Sequence, residues 1–276
     1  MTIRTALDQG SRLLEDAGVS APRLTAEVLL SHALGRERVY LYAHPEQELE
    51  HNPWLHYGRY LHERLQGRPT QYITHRQEFY GREFRVSDGV FIPRPETEHL
   101  IETALRLARG ARSVVDVGCG SGAIAATLSL ELDRPVRATD VSMRALEAAS
   151  ENARRLGARV EVLACDLVSA FAARSLDLVA SNPPYIPTTE EPGLPREVRD
   201  YEPRQALYAG PDGLDAYRRL IAEAERVLVP GGWLIMELGY RQMEAVVALC
   251  GPAWEPPEVI ADLAGLPRVF AARLGA

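Results

Sequence analysis

From residue 93 onward, short apolar runs bounded by glycine, proline or acid alternate with longer stretches whose apolar residues recur at helical spacing. Few architectures accept that alternation. Strands that each feed a helix are laid down parallel, in a doubly wound α/β sheet with helices on both faces. The spacing predicts strands over 113–117, 135–140, 159–164, 176–181 and 233–238. Helices are expected over 96–109, 121–132, 142–156, 213–229 and 240–249, with a final apolar stretch near Val259 and Val269. Such sheets bind ligands beyond the carboxyl ends of their strands, near the point where strand order reverses. The residues just after each strand are therefore the first place to look for chemistry.

The earlier part of the chain reads differently. Ile3, Ala6, Leu7, Leu13, Leu14 and Ala17 recur at helical spacing and stop at Gly18. A second helix is expected up to Gly35, with Ser20 as its cap and Pro22 in its first turn. Two more, near 36–42 and 53–66, make residues 1–67 a small helical bundle. After Gly67, extended segments over 71–79 and 83–86 around Gly81 and Asp88-Gly89 predict a β-hairpin linker over 68–92, and 93–276 forms the α/β domain.

Composition removes several classes of function. Thirty-one arginines with no lysine face 38 acids, a formal charge of −7, so a chain-wide electrostatic grip on nucleic acid is not expected. No apolar run reaches the roughly 18 residues of a membrane span, and the amino terminus does not read as a signal peptide. Cys119, Cys165 and Cys250 are widely spaced and suggest neither a disulfide framework nor a metal site. A reducing cytoplasm is the expected compartment. Arg59, Arg64, Arg68, Arg76, Arg82 and Arg85 outnumber Glu63, Glu78 and Glu83 in one stretch, which is either a solvated face or a place to hold a partner.

Strand 113–117 runs into Gly118-Cys119-Gly120-Ser121-Gly122-Ala123 and then an apolar helix. A strand, a glycine turn and a helix amino terminus allow close approach of a polar or charged group. The same residues fit a dinucleotide fingerprint, and Asp140 lies where a ribose-binding acid belongs in either case. Asp116 separates the two ligands. A pyrophosphate would be repelled by an acid beside the loop, whereas S-adenosylmethionine carries an ammonium and a sulfonium that favour one. Asp166, after the next strand, is placed either to accept from the adenine amino group or simply to make a turn, with Leu167 packing on the ring.

Strand 176–181 ends in Asn182-Pro183-Pro184-Tyr185. Asn-Pro opens turns, so a rigid loop is one reading. The chemical reading is more specific. Prolines have no N–H and restrict the residues before them, which leaves the Asn182 side-chain oxygen and the Pro183 carbonyl as fixed acceptors for one planar NH₂ group. Such a nitrogen is a poor nucleophile because its lone pair is delocalised. Accepting both its protons favours pyramidalisation and stabilises the charge that develops on attack, while the Tyr185 ring stacks on the flat substrate group.

The segment Asp116–Gly122 with the Asn182-Pro183-Pro184-Tyr185 tetrapeptide resembles class I S-adenosylmethionine-dependent methyltransferases acting on planar nitrogens. Gln71-Tyr72-Ile73, Glu78-Phe79-Tyr80-Gly81, Ile92-Pro93-Arg94-Pro95-Glu96-Thr97-Glu98, Tyr201-Glu202-Pro203-Arg204 and Asp212-Gly213-Leu214-Asp215 narrow the likeness to the HemK/PrmC family of protein-(glutamine-N5) methyltransferases. Pro22-Arg23-Leu24 through Ala33-Leu34-Gly35, and Leu41-Tyr42-Ala43-His44-Pro45, extend it over nearly the whole chain. The resemblance implies a helical substrate-recognition domain, a hairpin linker and a Rossmann-like seven-stranded sheet whose last strand is antiparallel. It implies S-adenosylmethionine as cofactor and, as substrate, the glutamine of the Gly-Gly-Gln motif in peptide chain release factors. Carried over by motif, Gly118, Cys119, Gly120, Ser121, Gly122, Asp140 and Leu167 contact the cofactor, and Asn182 to Tyr185 hold the glutamine. Arg94 and Glu96 either shape the entrance or cap the helix beginning near Glu96. His75 departs from the family, which usually has glycine there. A related glutamine methyltransferase of a ribosomal protein shares these motifs, a nucleic-acid amino methyltransferase is a more distant reading, and a non-catalytic release-factor or ribosome binder is the alternative outside enzymes.

Overall fold

In the computed structural model, which describes residues 1–276, the apolar stripes of the first part become α1 (Ile3–Asp16), α2 (Pro22–Leu34), α3 (Arg38–Ala43), α4 (His51–Leu65) and α5 (Thr70–Thr74). Ile3, Leu14, Leu29, Leu30, Leu41 and Tyr57 close a core of their own. Pro22 opens α2 as expected, but Ser20 does not cap it: Ala21 stands at the cap in a left-handed conformation with no side-chain bond. The segment 70–74 is helical rather than extended. Its β-branched residues read as strand, yet burial of Tyr72 and Ile73 decides the local conformation. His75 follows at φ 58, in the left-handed region that favours glycine.

The chain separates into two compact units, Met1–Arg76 with Pro195–Tyr201, and Gln77–Leu194 with Glu202–Ala276. The short insertion of the second stretch into the first unit carries α9 (Arg196–Tyr201). There Glu197 pairs with the buried Arg64, and the Tyr201 hydroxyl donates to the Gln66 carbonyl at 3.1 Å.

The larger unit begins with the hairpin β1 (Arg76–Phe79) and β2 (Arg82–Arg85), followed by α6 (Glu98–Leu107), β3 (Val114–Val117), α7 (Ala123–Leu132), β4 (Val136–Asp140), α8 (Met143–Leu156), β5 (Val160–Ala164) and β6 (Leu176–Ser181). Beyond α9 come α10 (Asp215–Val227), β7 (Leu228–Glu237), α11 (Met243–Val247), β8 (Glu258–Ala261) and β9 (Pro267–Arg273). The seven-stranded sheet has the order β5-β4-β3-β6-β7-β9-β8. Strands β3 to β7 pair in parallel, and β9, the last in the chain, runs antiparallel between β7 and β8. Gly231-Gly232 lies inside β7 as an irregularity: Leu176 pairs with Leu228 but Leu178 with Trp233.

Period-2 alternation sends successive strand residues to opposite faces. Val114, Ala138, Leu178 and Ile235 pack with α6, α7, α8 and the hairpin phenylalanines Phe79 and Phe84. Val115, Val117, Val179 and Leu234 pack with α10 and α11. From β3 the chain builds outward through β4 to β5, then returns to place β6 on the other side of β3, so strand order reverses between β3 and β6. No helix is long and apolar enough to cross a membrane.

Candidate active site

A cleft of about 240 Å³, partly open to solvent, lies at the carboxyl ends of β3, β4, β5 and β6. Its lining includes Gly118, Cys119, Gly120, Ser121, Asp140, Asp166, Leu167, Asn182, Pro183 and Pro184. Three strand ends and the tetrapeptide, separate in sequence, thus meet at the reversal point.

The glycine turn is built by backbone geometry. Gly118, Gly120 and Gly122 have φ of 71, 53 and 79, a run of left-handed residues that side chains oppose. The N–H groups of Gly118 and Cys119 both donate to the Thr139 carbonyl, at 2.8 and 2.9 Å, and fasten the turn to β4. Asn152, fully buried, donates to the carbonyls of Ser121 and Arg85 and accepts from the Arg85 N–H, tying turn, hairpin and α8 together. Burial pushes the Cys119 thiol up, so it is a neutral wall residue.

Asp140 accepts from Gly120 N–H at 3.0 Å through Oδ2 and from Ser142 N–H at 2.8 Å through Oδ1. The two bonds fix its plane and leave each oxygen a further lone pair for a diol. Asp166 is exposed at the rim and paired with Arg219. Leu167, beside it, stands at φ 47 and packs onto the apolar core below.

Asp116 is not among the residues lining the cleft. Its side chain is fully buried, with Oδ2 accepting from Ala125 N–H at 3.0 Å at the start of α7 and Oδ1 without a partner. Burial pushes its pKa up to about 7, and the nearby Asp140 adds to the rise. The acid the sequence places beside the turn is therefore enclosed behind it.

Around Asn182 the structure adds residues that sequence reasoning missed. Asn182 Nδ2 donates to Thr97 Oγ1 at 3.1 Å, and Thr97 Oγ1 donates to Glu237 Oε2 at 2.5 Å. Tyr185 also lies outside the cleft lining. Its hydroxyl donates to Glu237 Oε1 at 3.4 Å, and its carbonyl accepts from Gln242 Nε2 at 2.9 Å. Glu237 is fully buried, and that burial pushes its pKa up to about 7. Burial, then the charge of Glu237, holds the Tyr185 phenol protonated. One signal for Glu237 was present in the sequence: a lone acid closing the apolar run Trp233-Leu234-Ile235-Met236 at a strand end.

Arg94 pairs with the buried Glu202 and lies over the Phe91 ring at 4.8 Å, while Glu202 also accepts from Ile92 N–H. Glu96 sits in the single turn before α6. In the arginine-rich stretch, Arg64, Arg68, Arg82 and Arg85 are paired with Glu197, Glu63, Glu131 and Glu151, which neutralises much of it.

Comparison with known proteins places this geometry. Residues 5–74 match the PrmC N-terminal domain and residues 95–192 the Methyltransferase small domain. The release factor glutamine methyltransferase of Koribacter versatilis is 46% identical over 277 residues, covering 99% of both chains. The chain belongs to the release factor glutamine methyltransferase family. The member from Nitratidesulfovibrio vulgaris is 46% identical over 280 residues, covering 99% of this chain and 95% of that one, and the member from Bacillus subtilis is 39% identical over 282 residues, covering 98% and 97%. Among solved structures, a methyltransferase from Pyrococcus furiosus shares the fold at a TM-score of 0.55 and 18% identity, over 71% of this chain and 91% of that one. The 16S rRNA N2 G1207 methyltransferase of Thermus thermophilus does so at 0.52 and 18%, over 72% and 49%. Membership and fold make the chain a class I methyltransferase, and the cleft at the reversal point is its candidate active site.

Proposed function

We propose that the chain transfers the methyl group of S-adenosylmethionine to the side-chain amide nitrogen of the glutamine in the Gly-Gly-Gln motif of peptide chain release factors. The observation that carries this reading is the polarity of Asn182. Its Nδ2 is engaged by Thr97, so Oδ1 is the group left to meet a substrate, next to the Pro183 carbonyl, which no hydrogen bond within the chain takes. Two adjacent acceptors select an NH₂ group. The names of the relatives point to the same chemistry.

The residues present fit the cofactor. An added Cβ at Gly118 would meet nothing within 4 Å, so the turn leaves room for close backbone approach. Asp140 would hold the ribose hydroxyls, Leu167 and Asp166 would meet the adenine, and the partnerless Asp116 Oδ1 behind the turn supplies a buried acid that a nearby ammonium would favour in its ionised form. When bound, S-adenosylmethionine supplies a methyl group on a positively charged sulfur. The chain's own contribution is to bind and align. Asn182 and Pro183 would accept hydrogen bonds from both amide N–H groups, which draws the lone pair out of conjugation and stabilises positive charge on the nitrogen. Alignment of this kind supplies roughly 7 to 11 kcal/mol of a barrier. No strong base is required, because the nitrogen loses its proton after transfer.

The helical unit would recognise the protein substrate outside the cleft. The test is mass spectrometry of release factors and of ribosomal proteins after incubation with enzyme and S-adenosylmethionine. One methyl added to the Gly-Gly-Gln peptide is expected; methylation of a ribosomal protein alone, or of neither, overturns the substrate.

A further inference from the structure

We propose that Glu237 and Thr97 are positioning residues that decide which way the Asn182 side-chain amide faces. This deepens the reading of Asn182 as the acceptor for a substrate NH₂ and rests on it. An asparagine amide has nearly the same shape after a half-turn about its last torsion, but the turn exchanges an acceptor for two donors. Donors facing a substrate NH₂ would repel it. Something must hold Oδ1 forward, and the tetrapeptide supplies no such device.

The chain of bonds behind Asn182 does. An ionised carboxylate can only accept, so the Thr97 hydroxyl proton is committed to Glu237 Oε2, at 2.5 Å. Thr97 Oγ1 then offers only lone pairs to its other neighbour, Asn182, and the group that can meet them is Nδ2, at 3.1 Å. Glu237 is itself held on several sides. Tyr185 donates to Oε1, and the Tyr217 hydroxyl donates to the Glu237 backbone carbonyl at 3.0 Å while accepting from Gly239 N–H at 3.2 Å.

The remaining charged neighbours are Glu96, before α6, and Arg268, on β9, whose guanidinium is bonded to Asp262. No cation is bonded to the Glu237 carboxylate, and enclosing an acid without one costs stability. Glutamine would fill the same space at a lower cost, but it brings a donor. What the carboxylate alone contributes is an acceptor with no alternative. With its pKa near 7, Glu237 becomes protonated in mild acid. The carboxyl could then donate to Thr97 and release the hydroxyl proton towards Asn182, allowing the amide to turn.

Three variants test this: Thr97→Ser, which keeps the hydroxyl, Thr97→Val, which removes it, and Glu237→Gln, which replaces the pure acceptor. The direct readout needs no substrate. Hydrogen exchange of the Asn182 side-chain NH₂, followed by NMR and assigned through its loss in Asn182→Ala, should be slow in the wild type and Thr97→Ser and faster in Thr97→Val and Glu237→Gln. In single-turnover methyl transfer, Thr97→Val and Glu237→Gln should slow the chemical step by roughly 10- to 100-fold while the cofactor Kd stays within about twofold and Thr97→Ser stays near wild type. Glu237→Gln should also lose the acid limb near neutral pH and unfold no more readily than wild type, which separates positioning from a structural role. Unchanged Asn182 exchange in both Thr97→Val and Glu237→Gln, or a wild-type rate in Glu237→Gln, overturns the proposal. Should the wild type fail to methylate a release factor, the substrate reading fails while the exchange measurement still decides the relay.

Discussion

Replacing Gly122 by alanine isolates how the glycine turn is packed. The position lies at φ 79 and ψ 17, in the left-handed region, where an L-residue costs about 1–2 kcal/mol. An added Cβ would also sit 2.9 Å from both Cα and Cβ of Ala149. Ala149 is fully buried in the middle of α8, so relief requires movement of helix backbone rather than a side-chain rotation. Overpacking of that kind adds about 1–3 kcal/mol. Reduced freedom of the unfolded chain returns about 0.5 kcal/mol, which leaves a net loss of roughly 1.5–4.5 kcal/mol. Gly118→Ala is the matched control: φ is 71, but nothing lies within 4 Å of the new Cβ, so it should cost only about 1 kcal/mol. Urea unfolding of the cofactor-free proteins measures both, and calorimetric titration with S-adenosylmethionine should show Gly118→Ala losing affinity as its methyl enters the cleft. Equal destabilisation by the two substitutions would refute the argument that contact with Ala149, rather than backbone strain alone, reserves position 122 for glycine.

If Asn182 accepts from the substrate as proposed, Asn182→Ala should lower single-turnover methyl transfer by roughly 10²-fold or more with cofactor affinity nearly unchanged; an unaltered rate removes Asn182 from the chemistry. His75→Gly relieves a left-handed φ of 58 and should stabilise the protein by about 1 kcal/mol in urea unfolding, and a loss of stability would show that the histidine side chain outweighs its strain. Asp116 and Glu237, both with pKa near 7 in the fold and near 4 when unfolded, bind extra protons in the native state between those values. Stability therefore falls as pH rises from about 5 to 7, by at most about 1 kcal/mol per pH unit for each group, while His32, whose pKa burial lowers, acts in the opposite direction. Asp116→Asn should flatten the slope measured by urea unfolding of the cofactor-free protein, and an unchanged slope would show that this acid does not carry it.

Local signals made most of the framework legible. Glycine at 118, 120 and 122, prolines at 183 and 184, and the alternating strand and helix periods each act within a few residues of their own position, so their consequences can be read in order along the chain. Strands β3 to β6 fell within a residue of expectation, whereas β7 starts early because the Gly231-Gly232 irregularity is absorbed into the strand instead of ending it, and the final apolar stretch resolved into the two strands β8 and β9. The helix at 70–74 was missed because its residues prefer extended backbone and only the burial of Tyr72 and Ile73 overrides that preference.

By itself, then, the sequence determined the architecture, the glycine turn after β3 and the proline-stiffened tetrapeptide after β6, because each depends on backbone constraints that neighbouring residues impose. It also carried, through its motifs, the family to which the chain belongs. Only the tertiary structure decided which polar groups meet. Thr97, Asn182 and Glu237 lie on three segments far apart in the chain, and Asp116, one strand residue from the glycine turn, is turned towards the start of α7 and enclosed there. Hydrogen-bond polarity and burial are properties of three-dimensional neighbours, and strand order, not distance along the chain, chooses those neighbours.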